Sequence, residues 1–410
     1  MITLVHPTGN EFVRALARHL CQAGKLERLI TCMAAENVEW LSTRLPRRMA
    51  EDLRRRSFGI PKELLDTRPL RETVRLLSQR FSLRALTQHE IGWACVDAVY
   101  RDLDEFAAGR LNTLKSTRAV YCYEDAAEKT FAAARTLGML RVYDLPIAYW
   151  EFGRKLLREE AERVPEWEPT LVGTRDSDEK LERKTRELEL ADMVICPSTF
   201  VLRSLPSTAR ETKSCIVSEF GSPPVPEAVP RARGEKLRIL FAGSMTQRKG
   251  LADVFAALKL LRRDDVELVV MGSPIASMEF YRSQYSDFLY EPPRPHADVL
   301  ALMQSCDVLL LPSILEGRAL VQQEAMVCGL PLIVTANAGG EDLVLEGQTG
   351  FLVPIRAPER IADHLNWMAD HRAETARMGF DARQHASKMT WAAYAQRIVG
   401  AIEARLASHG

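Results

Sequence analysis

No cysteine of this 410-residue chain stands in a C-x-x-C pair, and no apolar run comes near the roughly 20 residues that a membrane-spanning helix needs. The eight cysteines (Cys21, Cys32, Cys95, Cys122, Cys196, Cys215, Cys306 and Cys328) are scattered, several inside apolar runs where a thiol behaves as a small hydrophobe. That usage predicts a reducing compartment. The start, MITLVHPTGN, lacks a basic leader followed by a long apolar segment, so the expectation is a soluble, cytoplasmic protein with no transmembrane segment. Net charge is absent too. Lys plus Arg and Asp plus Glu number 55 each, so no whole-molecule field argues for nucleic acid or a strongly anionic partner, and any basic site must be local. The chain has no short-period repeat and no low-complexity tract. No G-x-G-x-x-G follows a strand, and GSMTQRKG is not a P-loop, because Lys249 is followed by Gly250 instead of Ser or Thr.

What is present is an alternation of short apolar runs and helical patterns in a chain too long for a single core. The first half carries ITLVHP, RLITCM, AVYCYE, LRVYDLP, ADMVICP and CIVSEF; the second carries LRILFAG, VELVVMG, DVLLLP, LPLIVTA and TGFLVP. Such buried runs suit parallel sheets covered on both faces, so two doubly wound, Rossmann-like α/β domains facing a cleft are expected. The proline-interrupted stretch Phe220 to Lys236 separates them. The expected units are a first domain at 1–220, a linker at 221–236, a second domain at 237–385 and a closing helix at 386–410, anchored by Trp391 and packed back on the first domain. The Arg-rich region from Trp40 to Leu114, with Arg47 and Arg54 to Arg56, reads as a solvated helix face; a membrane-surface or acidic-acceptor patch is the alternative. The charged segment Glu151 to Leu190 reads as exposed helix, loop and helix.

The stretch SILEGRALVQQEAMVCGLP, Ser313 to Pro331, follows the strand Asp307 to Leu311 and opens a helix at about Arg318 that stops at Gly329. Ligands of open α/β sheets sit beyond the carboxyl ends of strands, which puts Glu316 on the lip of the crevice. Glu324, in the second turn, leans back toward the same place. Free N–H groups of Arg318, Ala319 and Leu320 would meet an anion there, while the two carboxylates would accept hydrogen bonds from hydroxyls. A helix N-terminus contributes only about 0.3 to 2 kcal/mol to an anion, too little for a diphosphate, so cations are needed. Arg248 and Lys249, in the loop after LRILFAG, supply them, with Gly243 allowing the turn after the strand. The triplets Asp102 to Asp104 and Asp176 to Asp178 lie in highly charged segments, and no metal ion is expected at the site. His6 and His296 read as structural or solvated.

These residues resemble the GT-B glycosyltransferases, in particular the large retaining class often called family 4. The resemblance rests on FAGSMTQRKG, CDVLLLPSILEGRALVQQEAMVCGLPLIVT, GGEDLVLEGQTGFLVP and MTWAAYAQRI in the family's order, and more faintly on HPTGNEFVRALARHL and ADMVICPSTFVLRSL in the first half. It implies that Glu316 and the backbone of Gly317, Arg318, Ala319 and Leu320 hold the donor sugar. It further implies that Glu324 binds the ribose, and that Lys249, with Gly243, Ser244 and Arg248, holds the diphosphate. Gly9 and Asn10 would border the cleft on the acceptor side. Three departures stand out: Ser244 replaces a common arginine, Arg318 and Ala319 replace Phe-Gly, and RVYDLPIAYW, with Tyr143 and Asp144, lacks a histidine many members have. Asp144 is then the catalytic candidate on the acceptor side, with Glu124 and Asp125 as rivals.

The activity implied is transfer of a sugar from a UDP- or GDP-linked donor to the hydroxyl of a carbohydrate or other acceptor. It would proceed with retention, without metal or other cofactor, and peripheral contact with a membrane is left open. Lys249, Arg248 and the helix N-terminus would stabilise charge on the leaving phosphate, and the linker would serve as hinge. A GT-B-fold sugar-nucleotide epimerase and a non-catalytic nucleotide-sugar-binding protein are the alternative readings.

Overall fold

The computed structural model describes residues 1–38, 56–227 and 236–408. Arg47, Arg54, Arg55 and residues 228–235, half of the expected linker, lie outside the described residues.

Among the described residues, thirteen strands form two sheets in which every pairing is parallel. The first holds β1 (Ile2–Val5), β2 (Leu26–Thr31), β3 (Leu65–Thr67), β4 (Ala119–Tyr123), β5 (Leu140–Asp144), β6 (Met193–Cys196) and β7 (Ser214–Val217), in the order β3-β2-β1-β4-β5-β6-β7. The second holds β8 (Leu237–Ala242), β9 (Val266–Met271), β10 (Leu289–Glu291), β11 (Val308–Leu311), β12 (Leu332–Thr335) and β13 (Gly350–Val353), in the order β10-β9-β8-β11-β12-β13. Both are doubly wound as expected, because helices on each face force the central strands to be apolar on both sides: β11 is buried at all four positions. The strand order reverses between β1 and β4 and again between β8 and β11, where the loops that follow diverge and leave a crevice.

The closing helix, Trp391–Ala407, returns to the first domain. Its Tyr394, Ile398, Val399 and Ile402 join the core formed by β1 and the helix Glu11–Gln22, and Lys25 pairs with Glu403 at 2.5 Å.

The charged segment Glu151 to Leu190 departs from its expected exposure. Helix Trp150–Arg163 ends at Val164, and the 3-10 turns Pro165–Thr170 then carry Trp167, 1% exposed, into the core of the second domain. The indole lies 5.9 Å from the Phe255 ring, 5.0 Å from Phe280 and 5.8 Å from Tyr281. Around this strap, fully buried Glu160 accepts from Gln247 (2.6 Å) and Arg356 (2.7 Å), while Arg163 reaches Asp253 at 2.9 Å. One carboxylate is thus shared by cations and an amide from both domains, which offsets the cost of burying it.

Candidate active site

The loop after β8 and the loop after β11 face each other across the strand-order reversal of the second sheet. In the first, Gly250 has φ +80°, and a Cβ there would lie 2.1 Å from the Pro312 carbonyl oxygen, so only glycine lets the two loops approach. The contact fixes register: Ile314 N–H donates to Arg248 O at 2.9 Å. Gln247 is fully buried, donates from its backbone to Thr170 Oγ1 (3.1 Å) and accepts from Ala252 N–H (2.7 Å). The strap therefore holds the residue immediately before Arg248 and Lys249.

Glu316 meets both cations. Its Oε1 lies 2.5 Å from Lys249 Nζ and 2.6 Å from Arg248 Nη1, and Arg248 also donates to Leu315 O at 3.0 Å. Burial pushes the Glu316 carboxyl up, but Arg248 and Lys249 outweigh it and hold it below its ordinary value. Burial likewise pulls Lys249 down, against the opposing pull of Glu316. The trio pairs two basic side chains with one acidic one, which suits it to meet an anion.

Two cavities flank this trio. One, about 360 Å³, is lined by Gly243, Lys249, Ala319, Leu320 and Glu324, together with Arg294 and His296. Glu324 and Lys249 thus open onto one space, whereas Glu316, expected to face the same ligand, is not among the residues that line it. The other, about 220 Å³, lies between the domains, with Arg248 and Leu315 on one wall and Trp150, Arg154, Asp176 and Lys184 on the other. A broader space of about 750 Å³ extends from Glu324 and His296 to Glu11 and Arg18 of the first domain.

The helix begins at Leu320 rather than Arg318, with Ala319 as its N-cap, and ends before Gly329 in the left-handed region at φ +84°. Ala319 N–H is donated to Ala338 O at 3.4 Å, so that amide is not available to a ligand. The Arg318 side chain is buried, donates to Gln323 Oε1 at 3.3 Å, lies 3.9 Å from Asp342 Oδ2 and lines neither flanking cavity. Burial of Glu324 raises its carboxyl, with His296 Nδ1 at 3.7 Å pulling the other way. Gly317 is one of the places where the domains touch: a Cβ would lie 1.7 Å from the Pro146 carbonyl oxygen, and its own carbonyl accepts from Ser198 Oγ at 2.6 Å. Ser244, beside Gly243, accepts from Thr246 N–H at 2.9 Å through its carbonyl.

The first-domain candidates are not brought to the trio. Asp144, 4% exposed, ends β5 among Tyr121, Tyr394 and Glu124 and lines none of these cavities. Burial, aided by Glu124 and opposed by the Tyr121 hydroxyl, pushes it up to about 7. Glu124 and Asp125 are tied to Lys184, at 3.4 and 3.5 Å, and Asp125 also to Arg183, so they brace the wall behind Lys184. Asn10 is the N-cap of helix Glu11–Gln22, with Gly9 beside Arg14; neither lines any of these three cavities, although the helix they open lines the broadest of them. His6 is fully buried between Phe12 and Tyr123, its Nδ1 2.5 Å from Thr8 O. Of the aspartate triplets, Asp104 caps the helix Glu128–Thr136 through the N–H groups of Lys129 and Thr130. Asp176 sits with His89 and Glu90, where Lys180 already meets it at 3.0 Å.

Sequence reasoning missed Arg294 and the cavity-facing position of His296. Both follow β10, a three-residue edge strand without an apolar run to announce it.

Residues 227–385 match the glycosyl transferases group 1 family. A D-inositol 3-phosphate glycosyltransferase from Corynebacterium diphtheriae is 32% identical over 177 residues, which cover 38% of this chain and 40% of that protein. The chain therefore spans about two fifths of that curated relative's length. Among solved structures, sucrose-phosphate synthase from Thermosynechococcus elongatus superposes with a TM-score of 0.67 at 17% identity, covering 100% of this chain and 99% of that one. Anabaena HepE, solved in complex with UDP, gives 0.61 at 15% identity, over 98% and 99%. The two facing parallel sheets form a GT-B fold, and residues 227–385 within it are similar to the glycosyl transferases group 1.

Proposed function

We propose that this chain is a glycosyltransferase that moves a sugar from a nucleotide diphosphate donor, UDP- or GDP-linked, to an acceptor hydroxyl. The observation that carries the reading is the convergence of Lys249 and Glu324 on one cavity, with Glu316 pinned between Lys249 and Arg248. Glu324 would accept from the ribose hydroxyls and Glu316 from the donor sugar. Lys249 would meet the diphosphate, with Arg294 supplying the second cation that Ser244 does not. As the bond from the anomeric carbon to the leaving phosphate oxygen breaks, Lys249 and the amides opening helix Leu320–Val327 take up the growing negative charge. The acceptor would enter through the space between the domains, on the Arg248 side of Glu316.

Retention and independence of metal belong to the same proposal. In a front-face route the leaving phosphate itself accepts the acceptor's proton, which is compatible with no first-domain carboxylate reaching the trio. The test is product analysis with a panel of UDP- and GDP-sugars and hydroxylated acceptors, with and without EDTA. A new α-glycoside from an α-linked donor plus free nucleotide diphosphate, unaffected by EDTA, is the expected result. An altered donor sugar, or tight binding without turnover, overturns transfer; loss in EDTA restored by manganese overturns metal independence.

A further inference from the structure

Eighteen large apolar side chains are exposed among the described residues, and eight of them fall within the 27 residues from Leu70 to Val96. Phe81 is 65% exposed, Ile91 76% and Trp93 45%. They lie in one stretch of chain. The chain after helix Leu70–Arg80 folds back along it: Leu83 N–H donates to Ser78 O, Ala94 N–H to Leu86 O, and the Arg71 guanidinium lies over the Trp93 ring at 4.6 Å while donating to the Trp93 carbonyl. Scattered exposed apolar residues need no explanation, but such a concentration marks a face that something covers.

The charges on this face have one sign. Arg80 and Arg84 are exposed and make no ion pair among the described residues. The acids of the segment are committed elsewhere: Glu72 to Arg75 at 2.7 Å, Asp97 to Arg183, and Glu90 to Ser177 N–H at 3.1 Å. A two-fold copy of the chain would set these arginines against each other. Anionic headgroups over an apolar interior complement both halves of the pattern, with tryptophan at the boundary. The face also runs into the candidate site, since Ser177, held by Glu90, follows Asp176, a wall of the cavity that Arg248 closes.

We propose that this face docks the protein on a bilayer surface bearing anionic lipid. The test is co-sedimentation of the full chain with vesicles of phosphatidylcholine alone and of phosphatidylcholine with phosphatidylglycerol. Anionic lipid should raise the bound fraction about tenfold or more, an effect that high salt reverses. Arg80→Glu with Arg84→Glu should remove the preference for anionic vesicles, and Phe81→Ser with Ile91→Ser should lower binding to both kinds. All four side chains are exposed, so unfolding midpoints without vesicles should match the parent. A protein that stays in the supernatant with both vesicles, or binds irrespective of these substitutions, overturns the proposal. So does a vesicle-free dimer, seen by light scattering, that the serine pair dissociates, because a second copy then covers the face.

Discussion

At the scale of single residues, the clustering of acids and bases at the mouth of the second sheet was legible because it is local: Glu316 and Glu324 are eight positions apart, and Arg248 and Lys249 follow a strand and a glycine. What local spacing could not show is which way a charged side chain turns. Arg248 leans to Glu316 and the interdomain cavity, whereas Arg294, unremarkable in sequence, lines the cavity shared by Lys249 and Glu324. A charge-assisted hydrogen bond is worth about 1.5 to 3 kcal/mol, so Arg294→Ala should weaken UDP or GDP binding roughly 10- to 100-fold in calorimetry. Arg248→Ala should weaken it less. Asp144 illustrates the opposite error, because a position at a strand end suggests a site while its burial argues for structure. Its carboxyl, raised to about 7, is neutral in both folded and unfolded chains below about pH 4. As pH rises toward 7 the unfolded chain ionises while the buried group resists, so this group's contribution to stability falls by at most about 1.4 kcal/mol per pH unit. Asp144→Asn should flatten the pH dependence of urea unfolding between about pH 4 and 7 relative to the parent; an identical slope would mean that the carboxylate is not held in that environment. Glu187, also raised, to about 8 by burial, leaves a residual slope of the same sign.

At the scale of elements, eleven of the thirteen strands coincide with apolar runs visible in the sequence. The two others, β3 and β10, are three-residue edge strands, too short for a pattern and not buried enough to need one. The strap was misread for a different reason. REEAERVPEWEPT is charged at seven of its thirteen positions, so composition argues for solvent, yet Glu160 is buried through its partners and Trp167 through its ring. Removing the indole opens a cavity in the second core, and Trp167→Ala should destabilise the fold by about 3 to 5 kcal/mol. Glu160→Ala leaves Arg163, Arg356 and Gln247 without a shared acceptor, with a cost of about 3 to 5 kcal/mol in urea unfolding. A loss under about 1 kcal/mol for both would show that the segment is not seated there.

At the scale of the whole molecule, no helix of the described residues is long and apolar enough to cross a membrane. The two domains meet at several separate places: the closing helix on the first sheet, Gly317 against Pro146, Thr199 on Asp342 at 2.7 Å, and the strap in the second core. The sequence suggested the first of these from an amphipathic tail and was silent on the others, since contacts between residues far apart along the chain leave no spacing to read. The strap also means that the second domain borrows one of its own core side chains from the first half of the chain. Production of residues 236–408 alone would leave an empty, apolar socket where Trp167 belongs, and the piece should aggregate. Made together as two polypeptides, 1–227 and 236–408 should assemble like split-protein halves and elute as one species in size-exclusion chromatography. Ownership of a core, in this chain, does not follow the line along which one would cut it.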